Sequence, residues 1–428
     1  MNQIITKSLK VLLIVPGSGD SFYCGNCFRD NLYAQALRRA GHEVVVMPIY
    51  LPLTFSSFTG NTPLFFPATS YFVAQKYFTK GRMPRLFEKM LNAPYLLRLA
   101  SSLSGTTSAK GMEQMTLSMI GGNDINFAKQ IEKVIQWITH HDRPDIIHLS
   151  TSLLIGVAKA IKCSVDIPTV CSLQDEEIWI DSLEERYACQ AWEAIRSNIH
   201  YIDRFTASSQ FYRSRALSRF PEIGEVEVVY PGIDSEKYRW SDYPKEPTIG
   251  FFYRMNYENG LDILAETFVH LKKENVIPGL KLKIGGGYTR ENKRFVRRVR
   301  KTLQPYIQDV IWLERYSLEA HETFYRDISL ICVPLRFNEA VGLYLCEAFA
   351  AGRPAVEPIA GSFPEIVFNA GALYDPNTPD ALATAIRELL SNPTHYTQCC
   401  QNALHLSQSR HNQAALSTSL QRVYSRLL

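Results

Sequence analysis

Short apolar runs alternate with helical patterns twice along this chain, and one polar stretch separates the two series. Val11–Val15, Glu43–Met47, Asp145–Leu149, Thr169–Leu173 and Val226–Tyr230 have the length and composition of buried strands. Asn31–Ala40, ended by Gly41 and His42, reads as a helix between the first two. The spacing of Ala128, Ile131, Val134, Ile135 and Ile138 marks another. A second series begins with strands at Thr248–Tyr253, Lys281–Ile284, Val310–Leu313 and Leu330–Val333. Its helices are marked by Leu261, Leu264, Phe268 and Leu271, then by Ala340–Ala351 and Asp380–Leu390. Strand and helix in strict alternation build parallel sheets covered on both faces, the doubly wound α/β class. Arg239–Pro247, mostly polar with two prolines, reads as the linker. The expectation is two Rossmann-like domains, residues 1–240 and 246–405, facing a central cleft. A last helix, Gln413–Leu427 within 406–428, is expected to pack back toward the first domain. In such sheets ligands sit beyond the carboxyl ends of the strands.

Composition sets outer bounds. At 428 residues, 46% hydrophobic and 21% charged, the chain can bury an ordinary core without disulfides or a structural metal. A net charge of +4 is too small over this length to point to nucleic acid. Lys7 and Lys10 precede the first apolar run, but five residues closed by Pro16 and Gly17 read as a strand and not a signal peptide. Nine scattered cysteines read as free thiols of a reducing compartment, so a cytoplasmic location is expected. Residues 51–121 break the alternation. Phe65, Phe66, Tyr71, Phe72, Tyr77 and Phe78 are interleaved there with Lys76, Lys80, Arg82, Arg85 and Lys89. The favoured reading is a helical insertion packed on the first domain; peripheral contact with the inner membrane face is the other.

The most specific chemistry lies between Pro334 and Pro354. Glu339 and Glu347 stand eight positions apart, the first after a strand and the second on a helix. That is slightly over two helical turns, so both can face one side of a cleft. Gly342 at the helix start lets backbone N–H groups approach an anion. Hydroxyl acceptors beside diphosphate donors are what a nucleotide sugar requires. An ordinary amphipathic helix with two solvated glutamates is the plain alternative for the pair taken alone.

This stretch resembles the Glu-x7-Glu motif of retaining glycosyltransferase family 4, whose fold is GT-B. Gly361-Ser-Phe-Pro-Glu365 is similar to that family's GG-x-P-E turn, with Ser362 for the second glycine. Tyr230-Pro-Gly-Ile-Asp234 resembles its NG-hydrophobic-D segment. Ile249-Gly-Phe-Phe-Tyr-Arg254, followed by Asn259 and Gly260, resembles GR-x4-KG. Gly25 precedes Gly41-His42-Glu43-Val44 by the family's loop-to-GHEV spacing. The resemblance runs through nearly the whole chain in order. It implies a metal-independent, retaining transferase with no cofactor beyond a UDP-, GDP- or ADP-sugar donor, acting on a sugar, glycan or glycolipid. It places Glu347 on the donor ribose, Glu339 on the transferred sugar, and Gly342 and Leu343 near sugar and diphosphate. Arg254 falls on the diphosphate, Gly25 where the first domain closes on it, and Asp175 at the family's His-Gly or His-Asp turn.

Two departures stand out. Asn259 replaces the family lysine, and Cys24 replaces the first glycine of the paired loop. Asn259→Lys is therefore expected to tighten donor binding, unless Arg336 already supplies that charge. Cys24 and Cys27 have CxxC spacing, but no second pair or nearby histidine completes a zinc set. Gly17 and Gly19 are placed on the acceptor side. His148 either lines that side or is a hydrogen-bonded core histidine. The run Arg290, Lys293, Arg294, Arg297, Arg298, Arg300 and Lys301 reads as one solvated helix face, with an anionic-lipid contact as the lesser reading. No Asp-x-Asp occurs, so a metal-bridged diphosphate has no sequence support. A nucleotide-sugar epimerase or hydrolase, and a non-catalytic sugar-nucleotide binder, are the rival readings. A nicotinamide dehydrogenase is disfavoured because the first loop lacks the third glycine of G-x-G-x-x-G.

Overall fold

The computed structural model describes residues 7–17, 25–49, 112–122, 125–140, 143–238, 244 and 246–428. Gly19, Cys24, most of the linker and all but the end of the 51–121 insertion lie outside the described residues. Among those described, strands form two six-stranded parallel sheets. The first contains β1 (Lys10–Val15), β2 (Glu43–Pro48), β3 (Ile146–Leu149), β4 (Thr169–Leu173), β5 (Arg204–Ala207) and β6 (Val226–Val228). The second contains β7 (Thr248–Phe252), β8 (Lys281–Gly285), β9 (Val310–Trp312), β10 (Leu330–Ile331), β11 (Ala355–Pro358) and β12 (Gly371–Tyr374). Their orders are β2-β1-β3-β4-β5-β6 and β12-β11-β10-β7-β8-β9. The central strands β3, β4 and β7 are buried along their whole length, which is why they read as unbroken apolar runs.

In the first domain the helices are α1 (Gly25–Arg39), α2 (Glu113–Gly121), α3 (Ile125–His140), α4 (Ala158–Ser164), α5 (Glu176–Ile180), α6 (Glu185–Asn198) and α7 (Gln210–Arg219). The second domain carries α8 (Leu261–Glu274), α9 (Lys293–Leu303), α10 (Leu318–Phe324), α11 (Leu343–Ala350), α12 (Phe363–Val367), α13 (Pro379–Ser391) and α14 (Pro393–Ser409). The last helix is α15 (Gln413–Ser425). Side-chain caps start several of them: Ser209, Thr378, Asn392 and Asn412 each accept from the backbone N–H three residues on. On α9 the apolar stripe Phe295, Val296, Val299 and Leu303 is buried, while Lys293, Arg294, Arg297, Arg298 and Lys301 face outward. Helix α1 begins six residues before the Asn31 expected from sequence. Its first turns bury Arg29 and Asp30, joined by a 2.9 Å ion pair, so apolar spacing gives no sign of them.

Helix α15 lies against α1 of the first domain. The Tyr424 hydroxyl stands 2.8 Å from Nδ1 of His148. Gln413 bonds Gln35, and Arg426 pairs with Glu225 and Glu227.

Candidate active site

Each sheet reverses its winding once. The first reverses between β1 and β3, the second between β7 and β10. The crevice beyond the carboxyl ends of strands at such a reversal is where α/β sheets hold ligands. Because β10 pairs with β7, Leu330 opposite Ile249, the segments leaving the two strands run side by side. That juxtaposition places Tyr253 beside Glu339.

Glu339 is 4% exposed and accepts from the Tyr253 hydroxyl at 3.1 Å. Its carboxylate also takes the backbone N–H groups of Val341 and Gly342. Gly342 holds a left-handed backbone, φ 66°, and opens α11. Of the N–H groups expected to face sugar and diphosphate, that of Gly342 is thus engaged by Glu339 itself, and Leu343 is buried. The Gly361–Glu365 turn presses on the same residue. A Cβ at Gly361, φ 55°, would lie 2.5 Å from the carbonyl oxygen of Glu339, and Ser362 donates its N–H to that oxygen at 2.9 Å.

Asp175 reaches Glu339 from the other domain. It ends the turn after β4, and its Oδ1 accepts the N–H of Ala340 at 2.9 Å. Burial, then the nearby charges of Glu339, Glu177 and Glu176, push its pKa well above the carboxylate range. Burial also raises Glu339, against the hydrogen bonds that favour its ionised form, including one with Asp175. Burial thus biases both carboxyls toward their neutral forms.

Glu347 lies one helical face along, 1% exposed. His321 Nε2 stands 2.9 Å and the Tyr325 hydroxyl 2.6 Å from its Oε2. The Tyr238 hydroxyl is 3.4 Å from Oε1. None of these three partners has a marker in the sequence, because they come from separate elements folded together.

Arg254 follows β7 by two residues. Asn259 turns its amide inward and donates to the Arg254 carbonyl at 2.7 Å, closing the turn that presents the arginine. Arg336 grips Asp262 at 2.8 and 2.9 Å and stacks 3.8 Å over Tyr257. Its guanidinium is engaged there, so the idea that it replaces the family lysine gains nothing from this geometry. Gly25 opens α1, and Gly17, φ 109°, follows β1. His148 has no exposed surface, and its nitrogens meet Tyr424 and Ser172, each at 2.8 Å. Burial and the charge of Arg29 lower its pKa to about 3. Among the described residues no cluster of three His, Cys, Asp or Glu could hold a metal ion, and no helix is long and apolar enough to cross a membrane.

The domains also meet at Glu365. Its carboxylate accepts the N–H groups of Gln210 and Phe211, at 2.9 and 3.1 Å, and the Tyr230 hydroxyl. A second-domain residue thereby caps the start of α7 in the first.

Two family models match the chain. One described as Glycosyltransferase Family 4 matches residues 119–237, and one described as Glycosyl transferases group 1 matches residues 246–392. The chain superposes on sucrose-phosphate synthase from Thermosynechococcus elongatus with a TM-score of 0.69, covering 98% of this chain and 99% of that one at 16% identity. The fold is GT-B. Anabaena HepE, solved in complex with UDP and glucose, shares this GT-B architecture with a TM-score of 0.66, 98% and 100% coverage and 15% identity. Among curated proteins, a glycogen synthase of Mycobacterium tuberculosis is 26% identical over 266 residues, 59% of this chain and 61% of that protein. A GDP-mannose-dependent phosphatidylinositol monomannoside mannosyltransferase of Mycolicibacterium smegmatis is 24% identical over 47% of this chain and 56% of its own. The GT-B chain thus spans about three fifths of the length of the curated relatives it matches.

Proposed function

We propose that this protein transfers a sugar from a nucleotide-diphosphate sugar to an acceptor hydroxyl, with retention of configuration and without a metal. The observation that carries the reading is the meeting of Asp175 and Glu339 across the cleft, where both sheets reverse. Arg254 and the backbone around Gly342 and Leu343 receive the diphosphate, and Glu347 receives the ribose. Donor entry then requires Glu339 to give up the N–H groups of Val341 and Gly342 and turn to the sugar hydroxyls. Charge developing on the leaving diphosphate is stabilised by oriented N–H dipoles and a planar guanidinium, in a site already shielded from water. Burial resists the ionisation of Asp175 and of Glu339, which makes either a poor covalent nucleophile and favours attack from the face the leaving group vacates. The relatives named for glycogen synthesis and for GDP-mannose use, and the neighbour holding UDP and glucose, support a sugar-nucleotide donor.

Thermal-shift and calorimetric titration with UDP-, GDP- and ADP-sugars tests the donor. A ligand at a hundred times its dissociation constant adds about 2.7 kcal/mol of stability. Transfer to sugar and glycolipid acceptors should survive EDTA, because no Asp-x-Asp is present and Arg254 supplies the positive charge. NMR of the product should show the donor's anomeric configuration. Donor consumed at full rate without acceptor would point to a hydrolase or epimerase, and binding without turnover to a non-catalytic binder.

A further inference from the structure

His321 has no exposed surface, yet it is surrounded by hydroxyls and a carboxylate. Nε2 of His321 stands 2.9 Å from Oε2 of Glu347, within hydrogen-bond reach. Nδ1 faces the Tyr316 hydroxyl at 3.4 Å. The ring is held on both sides. It stacks on Phe252 with 4.8 Å between centroids and 10° between planes, and the edge of Phe28 from α1 meets it at 4.8 Å. Phe252 is the last residue of β7, two before Arg254.

The two oxygens of Glu347 are treated differently. Oε2 accepts two bonds, from His321 at 2.9 Å and Tyr325 at 2.6 Å. Oε1 faces the Tyr238 hydroxyl at 3.4 Å, at the far limit of a hydrogen bond. A hydroxyl arriving at the usual ~2.7 Å would replace that contact with a much stronger one. A carboxylate pinned at one oxygen and weakly occupied at the other is pre-oriented for an incoming hydroxyl pair.

We infer that His321 is a positioning residue of the nucleotide site: with Tyr325 it pins Oε2 of Glu347 so that Oε1 receives the ribose hydroxyls of the donor. This rests on the reading of Glu347 as the ribose acceptor. The plain alternative is a buried ion pair that only stabilises α10 against α11.

The test compares UDP, GDP and ADP, each with its 2′,3′-dideoxy form, by calorimetry on the full chain, and takes the nucleotide that binds. Wild type should prefer the ribo form by about ten- to a hundredfold, the worth of hydrogen bonds to a charged group. His321→Leu should reduce that ratio to about threefold or less and leave dideoxy affinity unchanged. His321→Gln, which keeps an N–H near the position of Nε2, should retain most of the preference. Tyr325→Phe removes one hydroxyl with little change of shape and should also lower the ratio, which keeps the test open if His321→Leu does not fold. A wild-type preference that survives in both His321→Leu and Tyr325→Phe, or equal losses for both nucleotide forms, would overturn the positioning role alone. Equal affinity of wild type for the two forms would overturn the ribose reading of Glu347 and this inference with it.

Discussion

Asp175 holds a left-handed backbone, φ 48° and ψ 22°, where a residue with a Cβ is strained by about 1 kcal/mol or more. The turn aims its carboxyl across the cleft, and two features then act together: strain in the backbone and a buried carboxyl that resists ionisation. Because burial raises its pKa, the folded chain keeps a proton that the unfolded chain releases, and stability falls as pH rises above the ordinary carboxylate range. Asparagine tolerates the left-handed region, can accept from Ala340 and can donate to Glu339 without a titrating proton. Asp175→Asn should therefore melt above wild type at pH 8, by about 2–4 °C for each kcal/mol relieved, with the gap closing toward pH 4. Turnover should fall by about a hundredfold. A melting difference that does not vary with pH would mean that Asp175 is not the titrating group. At Asn259 the expectation from the family pattern reverses. A lysine there would lose the 2.7 Å bond that closes the turn under Arg254, so Asn259→Lys should weaken donor binding several-fold, about 1 kcal/mol by calorimetry. Glu339 and Glu347 were picked out by their spacing together with the family resemblance, since the pair taken alone also suits an ordinary amphipathic helix. Their environment was not legible, since Asp175, His321, Tyr325 and Tyr238 stand on other elements that only the folded topology brings near.

At the scale of elements, the strands that read most clearly were those whose side chains are all buried. β3, β4 and β7 form where apolar runs were seen, because a parallel strand covered on both faces leaves no polar alternation to interpret. β5, β11 and β12 were not legible. Arg204-Phe-Thr-Ala207, Ala355-Val-Glu-Pro358 and Gly371-Ala-Leu-Tyr374 are four residues each and carry Arg, Thr, Glu, Pro or Gly. Glu357 on β11 is wholly buried, accepts the N–H of Val333, and has its pKa raised by burial, a feature no periodicity announces. The turn into α8 shows what a matched motif glycine does. Gly260 has φ 71°, and a Cβ there would lie 1.9 Å from the carbonyl oxygen of Pro334. Gly260→Ala must move the segment leading to Glu339 as well as strain its own backbone. It should cost more than ~2 kcal/mol in denaturant unfolding and lower donor affinity with it. An alanine variant of wild-type stability would show that the Pro334 segment gives way freely.

The whole molecule is two sheets joined at several points, with the cleft residues between them. α15 fastens the chain's end to the first domain through Tyr424 and His148, and Asp175 meets Ala340 within the cleft. The Glu365 contact differs from both in that one second-domain carboxylate takes three donors of the first domain. It accepts two N–H groups at the start of α7, where the helix dipole favours an anion, and holds the Tyr230 hydroxyl beside them. Ser209 satisfies the N–H of Tyr212, so the first turn of α7 divides its donors between its own cap and the other domain. Any separation of the two domains must break the Glu365 bonds and leave the N–H groups of Gln210 and Phe211 to water. Glu365→Ala should therefore raise amide exchange at Gln210 and Phe211 by about tenfold or more, the scale set by a charged hydrogen bond of ~1.5–3 kcal/mol. Exchange at Tyr212, bonded to Ser209, should change much less. Small-angle scattering of the variant should show a larger radius of gyration than wild type. Unchanged exchange at all three amides would mean that α7 and the second domain are held together by α15 and the cleft carboxyls without help from Glu365.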